Sequence, residues 1–335
     1  MSKRRSGCTG CFLLLGLLIA AGIAVFYFSL AQPYRAFSQP VILEFPKGTS
    51  SRLMGDELAK AGVIRGRWQF SLARALRPAS RLQAGEYKFS NPASVWDVYG
   101  RIARGDVFYY EITVPEGSNI FDIAQIVDRS GLVKGADLLT IARSPALIQD
   151  LAPDAPSLEG YLFPSTYRVT KSVTAPVLAK MMTDLFRKKW RELDAAGPAN
   201  PVVTLASLVE KETAVPAERP LVASVYKNRL QDRVALDCDP TTIYAALLEE
   251  RYTGVIHKSD LASTNAYNTY KHPGLPPGPI ASPGMASLKA ALAPAETNYM
   301  YFVAKADGSG GHNFSSTLAE HTRAVAAYRN AQKHP

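Results

Sequence analysis

The segment Pro201 to Thr213, PVVTLASLVEKET, ends an apolar run on two glutamates whose positions around a helix differ. With Leu205 set at zero, a turn of about 100° per residue puts Leu208 at roughly 300°, Val209 at roughly 40°, Glu212 at roughly 340° and Glu210 at roughly 140°. Glu212 thus lies in the middle of the apolar arc. Glu210 and Lys211 fall outside it and are expected to stay wet. A carboxyl among Leu and Val side chains loses hydration, which disfavours its anion and raises its pKa. A carboxylic acid still protonated near neutral pH can donate a proton to a leaving group. The same pattern also fits an amphipathic helix whose apolar stripe ends at Val209, with Glu212 in a solvated last turn.

Other catalytic classes leave no trace. The chain has no G-x-S-x-G, no Walker-type glycine loop and no H-E-x-x-H. His257, His272, His312, His321 and His334 show no ligand spacing, and no metal or cofactor is called for. Cys8 and Cys11 flank the start of an apolar segment and Cys238 stands alone, so neither a disulfide framework nor a four-ligand zinc site can be assembled. Carboxylates, aromatics and amides are abundant, the equipment of carbohydrate chemistry, where two carboxylates commonly share the work. Of these carboxylates, Glu212 alone has a helical position that argues for desolvation.

The elements that must position this residue begin with a membrane-sized segment. Residues 12 to 31, FLLLGLLIAAGIAVFYFSLA, carry no charge and match the length needed to cross a bilayer. Lys3, Arg4 and Arg5 precede the run and Arg35 follows it, so the positive-inside rule puts the N-terminus in the cytoplasm and the rest outside. A cleaved signal peptide is the competing reading, with Ser29-Leu-Ala31 as a weak site. The 335 residues are 47% hydrophobic and 20% charged, enough for one large or two ordinary domains. The net charge of +9 is spread without a basic-aromatic run, which argues against nucleic acid as a partner.

An internal repeat follows. Phe45-Pro-Lys-Gly-Thr49 aligns with Val114-Pro-Glu-Gly-Ser118 at an offset of 69, which also matches Ala61-Gly-Val-Ile64 to Ser130-Gly-Leu-Val133 and Leu72-Ala-Arg74 to Ile141-Ala-Arg143. Each copy reads as a strand, a Pro/Gly turn, a helix, a Gly stop and a second helix. The unit resembles the LysM module, which recognises N-acetylglucosamine polymers; a duplicated structural unit is the alternative. Gly85 to Ser90 alternates like a strand, and Ser94 to Arg104 reads as a helix capped by Ser94 and stopped by Gly105. Ser157 to Tyr167 concentrates three aromatics, hydroxyls and Glu159, a composition suited to sugar rings and equally to a core.

Residues 174 to 195 read as a long amphipathic helix, and Leu221 to Gln231 as another after Pro220. Asp239-Pro240 has the chemistry of a helix start, with Asp239 as N-cap of Thr241 to Glu250. Ser263 to Ile280 is too rich in Pro, Gly and Asn for regular structure and reads as a cleft-lining loop. Two short strands, Tyr299 to Ala304 and His312 to Ser315, and a closing helix from Thr317 to Gln332 complete the chain.

Taken in order, Leu208-Val-Glu-Lys-Glu-Thr213, Glu218-Arg219, Ala223-Ser-Val-Tyr-Lys-Asn-Arg-Leu230, Asp239-Pro-Thr-Thr-Ile-Tyr244, Ala266-Tyr-Asn-Thr-Tyr270, Gly274-Leu-Pro-Pro-Gly278, Ser282-Pro-Gly284 and Tyr301-Phe-Val303 resemble the YceG-like family of endolytic murein transglycosylases. The resemblance runs from the membrane segment to the closing helix. It implies an α+β fold with a cytoplasmic tail over 1–11, a single transmembrane anchor over 12–32, a duplicated LysM-like region over 40–150 and a helix-rich catalytic domain with a small β-sheet over 151–335. It implies cleavage of the MurNAc-GlcNAc bond of nascent peptidoglycan strands to 1,6-anhydro-MurNAc ends, terminating elongation at the cytoplasmic membrane near peptidoglycan synthases. The family's acid is the Glu of the Glu-Thr pair, which is Glu212 and not Glu210.

One carboxyl suffices for that outcome: it protonates the glycosidic oxygen, then takes the proton of the MurNAc 6-hydroxyl as that oxygen attacks C1. On this reading Asn228, Asp239, Tyr267 and Asn268 orient sugar hydroxyls or N-acetyl groups, with Glu159 and Glu218 as further substrate-binding carboxylates. Cys238 stands where a polar residue is expected. Two alternatives remain: a muramidase that hydrolyses the same bond with Glu218 or Asp239 as second carboxylate, and a non-catalytic, membrane-anchored glycan-binding scaffold.

Overall fold

The computed structural model describes residues 6–195 and 197–333; Lys3, Arg4, Arg5 and His334 lie outside them. The fold is mixed α+β and helix-rich, and among the described residues its strands form three separate two-stranded sheets. Two compact units are present. The first runs to Tyr110 and takes in Val169–Lys171, and the second comprises Glu111–Arg168 and the chain from Ser172 onward.

In the first unit, helix α1 (Ser6–Ala31) leads into strand β1 (Val41–Phe45), helices α2 (Ser51–Lys60) and α3 (Arg67–Leu76), strand β2 (Gly85–Phe89) and helix α4 (Val95–Arg104). Pro33 disfavours helical backbone just before it, and α1 stops there. β1 and β2 are antiparallel, with Val41 opposite Phe89 and Phe45 opposite Gly85. The Ser50 hydroxyl accepts the Leu53 N–H and caps α2. Ser94 and Asp97 form a capping box on α4, and Gly105 at φ 70° stops it, as the sequence led us to expect. Phe45, Met54, Leu58, Phe70, Tyr87, Phe89 and Ile102 fill the core. Each contributes about 1.5–3 kcal/mol of transfer free energy when fully withdrawn from water.

The second unit opens within strand β3 (Tyr110–Val114), at Glu111, and continues with helices α5 (Ile120–Arg129) and α6 (Gly135–Ala142); β3 pairs with strand β4 (Ser165–Val169). β3 and α5 begin 69 residues after β1 and α2. The two compact units divide after Tyr110, so most of the second copy lies in the same unit as the C-terminal part. The Gly117 N–H reaches the Ser282 carbonyl at 2.9 Å, and the Ser282 N–H the Ser118 carbonyl at 2.8 Å. A repeat in sequence reports local folding and is blind to which neighbour buries its faces.

Helices α7 (Ala175–Glu192), α8 (Ala199–Glu212), α9 (Arg219–Gln231), α10 (Asp239–Leu248), α11 (Lys258–Leu261) and α12 (Met285–Leu292) follow, then the antiparallel hairpin β5 (Tyr301–Ala304) and β6 (His312–Ser315) and helix α13 (Leu318–Lys333). Helix α8 is central and packs against α12, α9 and α10. Val203 through Val209 are all buried. Ser207 fits this interior because its hydroxyl donates to the Thr204 carbonyl at 2.7 Å and accepts the Ile280 N–H at 3.1 Å. Tyr161, Phe163 and Tyr167 are buried, and Tyr161 packs edge-on against Phe186 at 5.0 Å. The aromatics of Ser157 to Tyr167 are core, not sugar platforms.

Candidate active site

Helix α8 does end at Glu212, and although Lys211 beside it is exposed, the Glu212 carboxyl is largely withdrawn from water. The Glu212 Oε1 accepts the Tyr226 hydroxyl at 2.9 Å from α9 and the Cys238 thiol at 3.1 Å from the residue before α10. Both donors are themselves buried. Burial pushes the Glu212 carboxyl above its ordinary 4.5, and the nearby Asp239 adds to this, while the two donors and His312 pull the other way. Among the described residues no donor reaches Oε2 and no salt bridge reaches the carboxyl.

Glu212 opens into a cleft of about 400 Å³ lined also by Tyr226, Arg229, Asp237, Asp239, Tyr270, Tyr301, Phe302 and His321. Arg229 fixes one wall. Its guanidinium donates to the carbonyls of Met300 at 2.7 Å, Ala235 at 3.0 Å and Leu236 at 3.1 Å, pairs with Asp237 at 3.1 Å and lies over the Tyr301 ring. His321 stacks on the same Tyr301 ring at 5.1 Å, and burial followed by the Arg229 charge lowers its pKa. Cys238 is held in place by buried threonines: Thr269 Oγ1 accepts the Cys238 N–H at 3.0 Å and lies 2.9 Å from Thr241 Oγ1.

Glu210, expected to be wet, is instead withdrawn. Its side chain is 6% exposed, pairs with Arg219 at 3.2 Å and accepts the Gly284 N–H at 3.0 Å. The wheel assigned it to the solvent side because a wheel cannot see α9 and α12 covering a second face. The Glu116 carboxylate lies against Gly284, where a Cβ would have to displace it. Burial and the Glu210 charge push Glu116 upward.

Of the other residues singled out in the sequence, Asp239 alone lines the cleft. It is not the N-cap of α10, a place taken by Cys238; its Oδ1 accepts the Tyr270 hydroxyl at 2.7 Å. Glu218 lies apart, accepting the His312 N–H at 2.8 Å and facing His312 Nδ1 at 2.7 Å. Burial would raise its carboxyl, but the His312 hydrogen bonds outweigh this and hold it below the usual range. Asn228 gives its amide hydrogens to the Thr297 and Tyr299 carbonyls at 2.8 and 2.9 Å. Asn268 is sealed, donating to the Ser263 carbonyl at 2.7 Å and accepting the Tyr270 N–H at 3.1 Å. Tyr267 is buried against Tyr244 at 5.0 Å.

Glu159 is sealed as well. Its oxygens accept the Ile120 N–H at 2.9 Å and the Gly160 N–H at 3.2 Å, and the Tyr244 hydroxyl also reaches it. These five residues organise loops and helix ends. The sequence reading passed over Tyr226, Arg229, Tyr270, Tyr301 and His321. Tyr226 and Asn228 stand two apart on α9, about 200° around the helix, so Tyr226 lines the cleft and Asn228 does not. The proximity of Tyr226 to a second helix carrying an apolar-face acid was the available signal.

A desolvated glutamate at a helix end thus lines a cleft whose other walls are aromatic and carboxylate-bearing. The model of the YceG-like family matches residues 43–327, and the chain belongs to that family. A Bacillus subtilis protein named endolytic murein transglycosylase is 30% identical over 93% of this chain and 91% of its own length. A Streptococcus pneumoniae protein of the same name is 28% identical over 95% of this chain, which spans 64% of that protein. The crystal structure of a yceG-like protein from Listeria monocytogenes superposes with a TM-score of 0.55 at 29% identity, covering 85% of this chain and 99% of that one.

Proposed function

We propose that the protein is an endolytic lytic transglycosylase of peptidoglycan in which Glu212 serves first as acid and then as base. Family membership and the names of its relatives support the activity. The observation that carries the residue assignment is the Glu212 carboxyl: desolvated, open to the cleft, with both donors on Oε1. In the first step Oε2 gives its proton to the glycosidic oxygen as the bond from MurNAc C1 breaks, its electron pair leaving with the GlcNAc oxygen. Positive charge grows at C1. The MurNAc 6-hydroxyl oxygen then bonds to C1 and its proton passes to the Glu212 carboxylate. The carboxyl is restored, no water is consumed, and the new end is 1,6-anhydro-MurNAc. Tyr270 and Phe302 line the cleft with aromatic rings, and Asp239 offers an acceptor for sugar hydroxyls.

In this reading α1 is an uncleaved single-pass anchor with a cytoplasmic N-terminus. Its one strongly apolar stretch, Leu13–Ala31, suits a span, and Leu30 supports retention because its side chain belongs to the core of the first unit. Cleavage after Ala31 would withdraw it. The two strand-helix-helix-strand copies read as LysM-like glycan contacts, and the protein as a terminator of strands made by peptidoglycan synthases. Hydrolysis stays as the second reading, because Asp239 shares the cleft with Glu212 and could activate water. Mass spectrometry of digested, uncrosslinked glycan strands separates the two. New ends lighter than reducing MurNAc by one water are expected; reducing ends would establish hydrolysis, and binding without cleavage a scaffold.

A further inference from the structure

The junction between α1 and the first unit is rigid. Leu30 is 1% exposed and packs in the same core as Phe45, Leu58, Phe70 and Val98. The Gln69 side chain, itself buried, donates to the Ser29 carbonyl at 3.0 Å, satisfying one of the backbone acceptors that a helix end leaves open. Its other end accepts the Arg65 N–H at 3.1 Å, tying α1 to the start of α3. Beyond the helix, Tyr34 and Ala93 exchange backbone hydrogen bonds at 3.0 and 3.3 Å, and the Ala36 N–H reaches the Gly62 carbonyl at 2.9 Å. No free linker separates the apolar helix from the folded unit.

This rigidity fixes a depth. Trp68, the second residue of α3, meets Phe26 edge-on with ring centroids 5.5 Å apart. Phe26 lies five residues before the end of the apolar stretch, about 7.5 Å along a helix rising 1.5 Å per residue. Trp68 is therefore held below the level at which the apolar segment ends, yet it is 47% exposed. A half-exposed indole at that level has a natural partner, since tryptophan is enriched where hydrocarbon meets headgroups. Tyr27 and Phe28 are exposed at the same end of α1, and the Arg65 guanidinium lies 4.6 Å over the Tyr34 ring just beyond it. These form an aromatic belt with a cation on its aqueous side.

We infer that the first unit is seated on the phospholipid bilayer, with the N-terminal turn of α3 in the headgroup layer and Trp68 as its anchor. The inference rests on α1 being an uncleaved span. The seat keeps the first unit at a fixed height and tilt relative to the membrane.

The test uses the full chain in vesicles of phosphatidylcholine and phosphatidylglycerol whose acyl chains carry bromine, a short-range quencher of indole emission. Besides Trp68 the chain has Trp96 and Trp190. Tryptophan emission of the wild type is expected to fall on bromination, and Trp68→Phe is expected to lose most of that fall. Alkaline washing of the same vesicles reports on the anchor separately. If wild type and Trp68→Phe both resist the wash and show equal quenching, or none, the seat is wrong while the span stands. If the wild type washes off, the span is wrong and the seat falls with it.

Discussion

Glu159 and Glu212 belong to the same unit, burial raises the pKa of both, and neither takes part in a salt bridge among the described residues. Access separates them. Glu159 is 0% exposed, with backbone N–H groups on both oxygens. Glu212 shows its carboxyl to a cleft and has donors on Oε1 alone. A raised pKa therefore reports desolvation, while a catalytic acid also needs an uncommitted oxygen and room for the bond it protonates. Glu210 adds a third case, equally withdrawn but held by Arg219.

The largest expected effect is on the acid itself. Glu212→Gln should lower turnover by about 10³-fold, the range of general acid catalysis, measured as release of anhydro-ended glycan with thermal unfolding as a check on folding. Glu159→Gln should keep its chemistry per folded molecule. Equal losses in both variants would erase the distinction drawn between them. Glu210→Gln leaves a buried guanidinium without its partner and should cost about 3–5 kcal/mol of stability, read from urea unfolding, with activity preserved in the folded fraction.

Glu159 makes stability depend on pH with a definite sign. Burial, against the pull of the Ile120, Tyr244 and Gly160 donors, lifts its carboxyl from 4.5 to about 8. Between these values the unfolded chain releases a proton that the folded chain keeps, so this contribution to stability is full below the lower value and is lost as pH rises to the upper one. The wild type should lose stability relative to Glu159→Gln across that window, about 1.4 kcal/mol for each pH unit between the two values, measured by denaturant unfolding at several pH values; parallel curves would deny the shift.

Smaller effects sharpen the Glu212 side. Tyr226→Phe removes a donor that stabilises the carboxylate, so the acid should hold its proton to higher pH. The alkaline limb of the rate profile should move upward and the maximal rate fall about tenfold, as expected for losing one charge-assisted hydrogen bond. Cys238→Ala should move the limb in the same direction by less, a thiol being the weaker donor.

Local chemistry was legible in the sequence wherever one element settles the matter. The Ser94 cap and Gly105 stop of α4, the proline starts of α9 and α10, and the β5–β6 hairpin all follow from neighbouring residues. The site was legible only in part. The wheel put Glu212 on the apolar face, but the groups that desolvate it lie 14 and 26 residues downstream, beyond any local period. The wheel failed for Glu210 for the same reason, since its partner Arg219 comes from α9. Asp239 looked like a cap because its sequence neighbours allow one, whereas a tyrosine hydroxyl from a distant loop claims the carboxylate. Asparagines chosen for their affinity for sugars turned out to satisfy backbone carbonyls, the equally common use of an amide.

The protonation state of Glu212 can be read directly. Carbon-13 NMR of protein labelled at glutamate carboxyls, titrated from acid to neutral pH, contains one resonance that Glu212→Gln deletes. Its midpoint is expected above 4.5, with no loss of signal from Glu210 in that variant. A midpoint at or below 4.5 would mean that Glu212 is an ordinary ionised carboxylate in the free protein, and the acid assigned here would be the wrong one.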